Sequence, residues 1–248
     1  LAITAWAHGQ AGVVALLRRF LIWRVSPRWY LIVLLGPALL YLLALALFTL
    51  TTGTRPDPSL TEARSLFGPS IIPWLGAIPF LLFDALSNGE ELAWRGFLLP
   101  RLQARHSALR SSLVVGMLWG VWHLPKFWAA PDAGQIAFVI AHAILVAILY
   151  TWVFNSTHGS LLLVTLLHAA FNTAHVLLPV NPAAAGTPLI QVFVLVAEAL
   201  AARGVIWAAG PAHLAHLPRV IHDEHGDAPE VVRPRGSRCR TGRRGGEG

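Results

Sequence analysis

Trp29-Tyr-Leu-Ile-Val-Leu-Leu-Gly-Pro-Ala-Leu-Leu-Tyr-Leu-Leu-Ala-Leu-Ala-Leu-Phe-Thr-Leu50 runs without a charged side chain. A helix needs about 20 mostly apolar residues to cross the hydrocarbon core of a bilayer, and this stretch supplies them. Five further stretches follow: Leu66 to Leu86, Leu109 to Trp128, Ile136 to Phe154, Leu161 to Val180 and Leu189 to Ala209. In the first of these, Pro69, Pro73 and Pro79 are expected to kink the helix. The fold expected is all-α, a polytopic transmembrane helical bundle of about six spans in this fragment, with a polar cavity inside the membrane.

The remaining composition agrees. Hydrophobic residues make up 55% of the 248 and charged residues 12%, against about a quarter charged in soluble domains. The net charge of +7 comes from arginines gathered between apolar runs. That pattern reads as orientation in the membrane and contact with anionic lipid, not as binding of nucleic acid. With residues 1–28 inside, Arg18, Arg19, Arg24, Arg28, Arg95, Arg101, Arg105, Arg110 and the arginines of the tail fall on one side. Only Arg55, Arg64 and Lys126 fall on the other. Both ends of the fragment are therefore expected in the cytoplasm, and the protein in the cell (plasma) membrane.

Three regions are expected. Residues 1–28 form a cytoplasmic or interfacial amphipathic segment, or the end of a span that begins earlier; the chain starts at Leu1 rather than Met, and sequence ahead of it is expected. Residues 29–209 form the membrane domain. Residues 210–248 form a basic tail too polar to build a core. The single cysteine, Cys239, gives no internal disulfide and no Cys-rich zinc site, and it stands too far from Gly248 to be a prenylation box.

Ionisable groups inside a span cost about 2.5–3.5 kcal/mol on insertion scales and need a reason. Glu90, Glu91 and Arg95 close the second apolar stretch, His123 lies in the third, and His168 and Asn172 lie in the fifth. Asp84 and Glu198 are further cases. Glu91 and Arg95 are i and i+4, so they share a helix face and can pair; His168 and Asn172 share the same spacing. A hairpin turning near His106 and Ser107 would carry Glu90 and His123 equal distances from the turn, about 24 Å at about 1.5 Å per residue. Pro100 threatens the first arm of that hairpin, and His168 reaches the same depth only if residues 124–134 are irregular or the helices are tilted. Each feature alone has a structural explanation: an ion pair at a span end, a satisfied core histidine, an interhelical hydrogen bond. His158 and His175 read as structural. The conjunction of paired acids, two histidines and an amide on three spans points to a site.

These residues resemble a known family. Glu90-Glu91-Leu92-Ala93-Trp94-Arg95-Gly96 reads as E-E-x-x-x-R. Trp119-Gly120-Val121-Trp122-His123 stands where the family has F-x-x-x-H, with Trp for Phe, a change conservative for packing. His168-Ala169-Ala170-Phe171-Asn172 reads as H-x-x-x-N. The order is similar to the CPBP family, the CAAX prenyl proteases and the bacteriocin-processing and immunity membrane proteins related to them. The resemblance runs from about Trp29 to Ala209.

It implies an intramembrane endopeptidase acting on a membrane-anchored or lipidated, CAAX-like polypeptide, with the bilayer as its other partner and no nucleic acid. By that analogy Glu90 and His123 activate a water, His168 and Asn172 stabilise the oxyanion, and Arg95 holds Glu91 and so the helix that carries Glu90. A metal version stays equally open, with Glu90, His123 and His168 around a divalent ion such as zinc in a His₂Glu site. No H-E-x-x-H motif favours it. Two other classes compete: a non-catalytic binding or bacteriocin self-immunity protein that keeps the motif structurally, and a proton-coupled transporter. The transporter would show repeated half-domains, and none is seen.

Overall fold

The computed structural model describes residues 1–67, 73–215, 219–221 and 230–232. Pro69, Cys239 and most of the expected tail lie outside the described residues. The chain runs α1 (Ala2–Arg18), α2 (Pro27–Thr52), α3 (Glu62–Phe67), α4 (Pro73–Ser87), a π-helical segment (Leu92–Leu98), α5 (Leu99–Gln103), α6 (Ala108–Trp122), α7 (Ala133–Ser156), α8 (Leu161–Leu177), α9 (Pro182–Ala185) and α10 (Leu189–Ala209). Two short strands, Arg219–Ile221 and Glu230–Val232, pair antiparallel beyond the bundle.

Among the described residues, four helical segments are long and apolar enough to cross a membrane: α2, α7, residues 161–185 from α8 onward, and α10. They account for four of the six expected spans. The other two, α4 and α6, have 15 residues each. That is roughly 22 Å, short of a hydrocarbon core about 30 Å thick. The cause in α6 is local. Pro125 cannot continue an α-helix, and the chain tightens into a 3₁₀ turn over Leu124–Phe127 after His123. Residues 124–132 thus break the regular helix between α6 and α7, one of the two conditions the depth argument allowed, and α7 begins at Ala133.

The bundle is a membrane protein's, with apolar side chains outside as well as inside. On α2, Leu31, Leu35, Leu39 and Leu42 are exposed; on α6, Leu113, Met117 and Val121; on α10, Val192, Val196 and Leu200. Each set recurs at helical spacing, the face a helix turns to lipid. The buried side of α6 includes Gly116 and Gly120. A Cβ on Gly116 would lie 2.6 Å from Ile144 Cα, and one on Gly120 would lie 2.9 Å from Ile140 Cα. Small residues four apart let two backbones touch, and this close approach fixes α6 against α7.

A polar ladder joins α7 to α10. Gln191 Nε2 donates to Gln135 Oε1 at 2.9 Å, and His142 Nδ1 lies 2.8 Å from Glu198 Oε1. The two rungs are two helical turns apart on both helices and climb in the same sense, so α7 and α10 run parallel. The chain just past α10 also packs on the bundle. The N–H groups of Ala108 and Leu109 donate to the carbonyls of Ala212 and Pro211, satisfying donors that the start of α6 leaves unpaired.

At the other end of the chain, α1 is interrupted at Gly9, whose φ of 63° is open to glycine. Its His8 Nε2 lies 2.7 Å from Arg101 Nη2, and its Leu16 side chain packs against Gly96. The leading segment is therefore docked on the helix that carries the E-E-x-x-x-R motif.

Candidate active site

That motif begins at the loop before the π-helical segment. Asn88 Oδ1 accepts from the Glu90 N–H at 3.0 Å. Through Leu92–Leu98 the backbone widens by one residue per turn, and the N–H of Leu99 reaches back to the carbonyl of Trp94. Such π segments often mark functional sites. Here the wide turn lets the helical path continue past Pro100 into α5 instead of breaking. Pro100 has no N–H to offer Gly96, and Arg19 Nη1 donates to that carbonyl at 3.4 Å instead.

Glu91 and Arg95 form the buried centre, both with no exposed surface. Arg95 Nη1 donates to Glu91 Oε1 at 3.0 Å and to Oε2 at 3.2 Å. Among the described residues its Nε and Nη2 have no hydrogen-bond partner. They are compensated by aromatic faces: the guanidinium lies 4.3 Å from the Tyr150 ring centroid and 4.8 Å from that of Trp119, where a desolvated cation gains about 2 kcal/mol or more. His168 Nδ1 lies 2.9 Å from Glu91 Oε1. Since a carboxylate only accepts, Nδ1 carries the proton and donates.

Trp119 links the remaining groups. Its indole Nε1 donates to Glu90 Oε2 at 2.6 Å. Its backbone carbonyl accepts from His123 Nδ1 at 2.8 Å, which leaves His123 Nε2 as the ring's acceptor in the neutral state. The His168 ring lies 5.4 Å from the Trp119 ring and the His123 ring 5.9 Å from it. The helical hairpin thus sets Glu90 opposite Trp119, one turn before His123. Trp for Phe is more than a packing change, because phenylalanine has no N–H to give Glu90.

Glu90, His123 and His168 therefore gather round one indole. Asn172 shares a face of α8 with His168, but its amide donates to Asp84 on α4, at 3.2 and 3.1 Å. Asp84 is a group that the sequence marked as costly without naming a partner. His175 pairs instead with Glu62, at 3.1 Å. No three His, Cys, Asp or Glu side chains among the described residues come together as a metal ligand set. Glu90, His123 and His168 are instead engaged with Trp119 and Glu91.

Residues 69–174, the segment holding all three motifs, match the family model described as type II CAAX prenyl endopeptidase Rce1-like. A curated relative, CAAX prenyl protease 2 of Methanococcus maripaludis, is 27% identical over 124 residues, covering 46% of this chain and 44% of that one.

Over residues 69–174 the chain is similar to the CAAX prenyl proteases.

The alignment takes in less than half the length of that relative. Within this CAAX protease-like segment, two features escaped the motif reading. One is Tyr150, whose ring faces both Arg95 and His168. The other is His142. Both sit in an otherwise apolar span, and their partners lie on other helices. A histidine in such a span demands a partner, and Glu198, equally costly on α10, was the available one.

Proposed function

We propose that this chain is an intramembrane endopeptidase that hydrolyses a peptide bond in a membrane-anchored or lipidated polypeptide. The observation that carries the reading is the gathering of Glu90, His123 and His168 about Trp119, two of them by hydrogen bonds of 2.6 and 2.8 Å.

In the proposed reaction a water sits between Glu90 and the free Nε2 of His123. Glu90 takes a proton as the water oxygen adds to the peptide carbonyl carbon. The proton then passes to the amide nitrogen, the C–N bond breaks, and carboxylic acid and amine separate. His168, held at Nδ1 by Glu91, turns its Nε2 side toward the developing oxyanion. Asn172 carries two N–H groups, one assigned to Asp84 and the other to the oxyanion. Arg95 holds Glu91, Glu91 holds His168, and the Tyr150 ring packs against both Arg95 and His168. Removing an oxyanion donor typically costs about 100- to 1000-fold in rate. No step is routed through a metal ion.

The basic segments are assigned to the cytoplasmic side of the plasma membrane, as the arginine distribution favours. The test is cleavage of a panel of membrane-anchored peptides by purified protein, wild type beside Glu90→Gln, with and without a chelator. Cleavage by wild type and not by the Gln variant supports the assignment. Equal cleavage by both removes Glu90 from the mechanism, and loss with chelator alone moves the chemistry to a metal.

A further inference from the structure

The site contains a pair of donors that its proposed chemistry does not use. Trp119 Nε1 donates to Glu90 Oε2 at 2.6 Å from α6, and Trp94 Nε1 donates to the same oxygen at 3.3 Å from one turn along the π segment. Both indoles converge on one oxygen. Among the described residues, Oε1 accepts no hydrogen bond. A carboxylate held this way can rotate little about its last bond, because the indole on α6 is itself fixed. Trp119 is 5% exposed, packs edge-on against Tyr150 at 5.5 Å, and stands one residue before Gly120, where α6 touches α7.

We propose that Trp119 is a positioning residue, which with Trp94 pins one oxygen of Glu90 and presents the other as the base. This rests on the reading of Glu90 as base. Glu90 and Trp94 are i and i+4, so they share a face of their helix, and both indoles act on one atom.

The inference has one reading that needs no turnover. Of ten tryptophans in the chain, the Trp119 indole ¹⁵N–¹H resonance is assigned by its loss in Trp119→Phe. It should lie downfield of the exposed indoles and move upfield in Glu90→Gln, where a charged acceptor becomes neutral. A Trp119 resonance unmoved by Glu90→Gln overturns the clamp. The second reading is kinetic, on a prenylated peptide in vesicles. Trp119→Phe should lower kcat by about tenfold to a hundredfold, the scale of a hydrogen bond to a charged group. KM should stay unchanged, since the indole meets Glu90 and not the substrate. Trp94→Phe should do the same more weakly. If Glu90→Gln is inactive while Trp119→Phe keeps the wild-type kcat, the positioning role is wrong and the base assignment stands. If Glu90→Gln is active, the base assignment fails, and the resonance still decides whether the clamp exists.

Discussion

His142 Nδ1 lies 2.8 Å from Glu198 Oε1, and Glu198 is wholly buried between α7 and α10 with its other oxygen, Oε2, unpartnered among the described residues. Removing one member of a buried pair strands the other, which typically costs about 3–5 kcal/mol, whereas replacing both with apolar groups is often neutral. His142→Leu should therefore lower the thermal midpoint in detergent sharply, and His142→Leu with Glu198→Leu should recover most of the loss. A double variant no better than the single one would show that the pair does not act as a unit. Both should leave the indole resonance of Trp119 in place, which separates this seam from the proposed site.

The helices that cross the membrane were legible in the sequence because a long apolar run has few other uses. The expected Trp29 to Leu50, Ile136 to Phe154 and Leu189 to Ala209 correspond to α2, α7 and α10 within a few residues. The span expected over Leu109 to Trp128 ends earlier as an α-helix, at Trp122, because Pro125 cannot continue it, which apolar counting ignores; part of the span expected over Leu66 to Leu86 lies outside the described residues. Within the site, i and i+4 pairs such as Glu91–Arg95 were readable because the helix period alone determines them. Glu91 with His168, Asn172 with Asp84 and His142 with Glu198 were not, since each pair depends on how separate helices pack. The indole N–H of Trp119 was in plain view. Read by hydrophobicity it looked like a larger Phe; read by hydrogen-bond inventory it is a donor that needs an acceptor.

The contact of α6 with α7 makes a second prediction. Ile144 Cα lies 2.6 Å from the place a Cβ would take on Gly116, and that atom is backbone, unable to swing aside. Gly116→Ala should push the helices apart. Overpacking of this kind costs about 1–3 kcal/mol, offset in part by the better helix propensity of Ala. Because α6 also carries Trp119 and His123, activity should fall further than stability. Gly36→Ala on α2, where nothing lies within 4 Å, is the control and should leave activity unchanged while gaining up to about 1 kcal/mol of stability.

The Glu91–Arg95 pair predicts a split between folding and chemistry. Arg95→Leu leaves a wholly buried carboxylate with only His168 beside it and removes the cation from the Tyr150 and Trp119 faces. A loss of about 3–5 kcal/mol is expected, read as poor recovery from the membrane or a lowered thermal midpoint. Glu90→Gln, whose side chain keeps its shape, should leave the midpoint within about 0.5 kcal/mol, the scatter of substitutions that break no buried network. If Glu90→Gln unfolds the protein as Arg95→Leu does, the first glutamate has a structural role too.

The last prediction concerns how substrate arrives. A soluble peptide must leave water to enter a bundle whose outer faces are apolar at Leu31, Leu113, Val121 and Val196. A lipid chain contributes about 0.8 kcal/mol per buried CH₂ and keeps its attached peptide at the membrane surface, so it raises local concentration before any contact is made. Arg101, Arg105 and Arg110 flank the turn at His106 and Ser107 that joins the two motif helices, and on the proposed reading the positive-inside rule assigns that turn, and with it the peptide end of the substrate, to the cytoplasmic side. One peptide should be compared with and without a prenyl or acyl anchor, and presented from either face of vesicles holding the protein in a known orientation. Faster cleavage of the anchored form from the cytoplasmic face is expected. Equal rates for anchored and soluble peptide would remove the lipid from recognition, and cleavage from the outer face alone would invert the assigned orientation while leaving the residues of the site as they are.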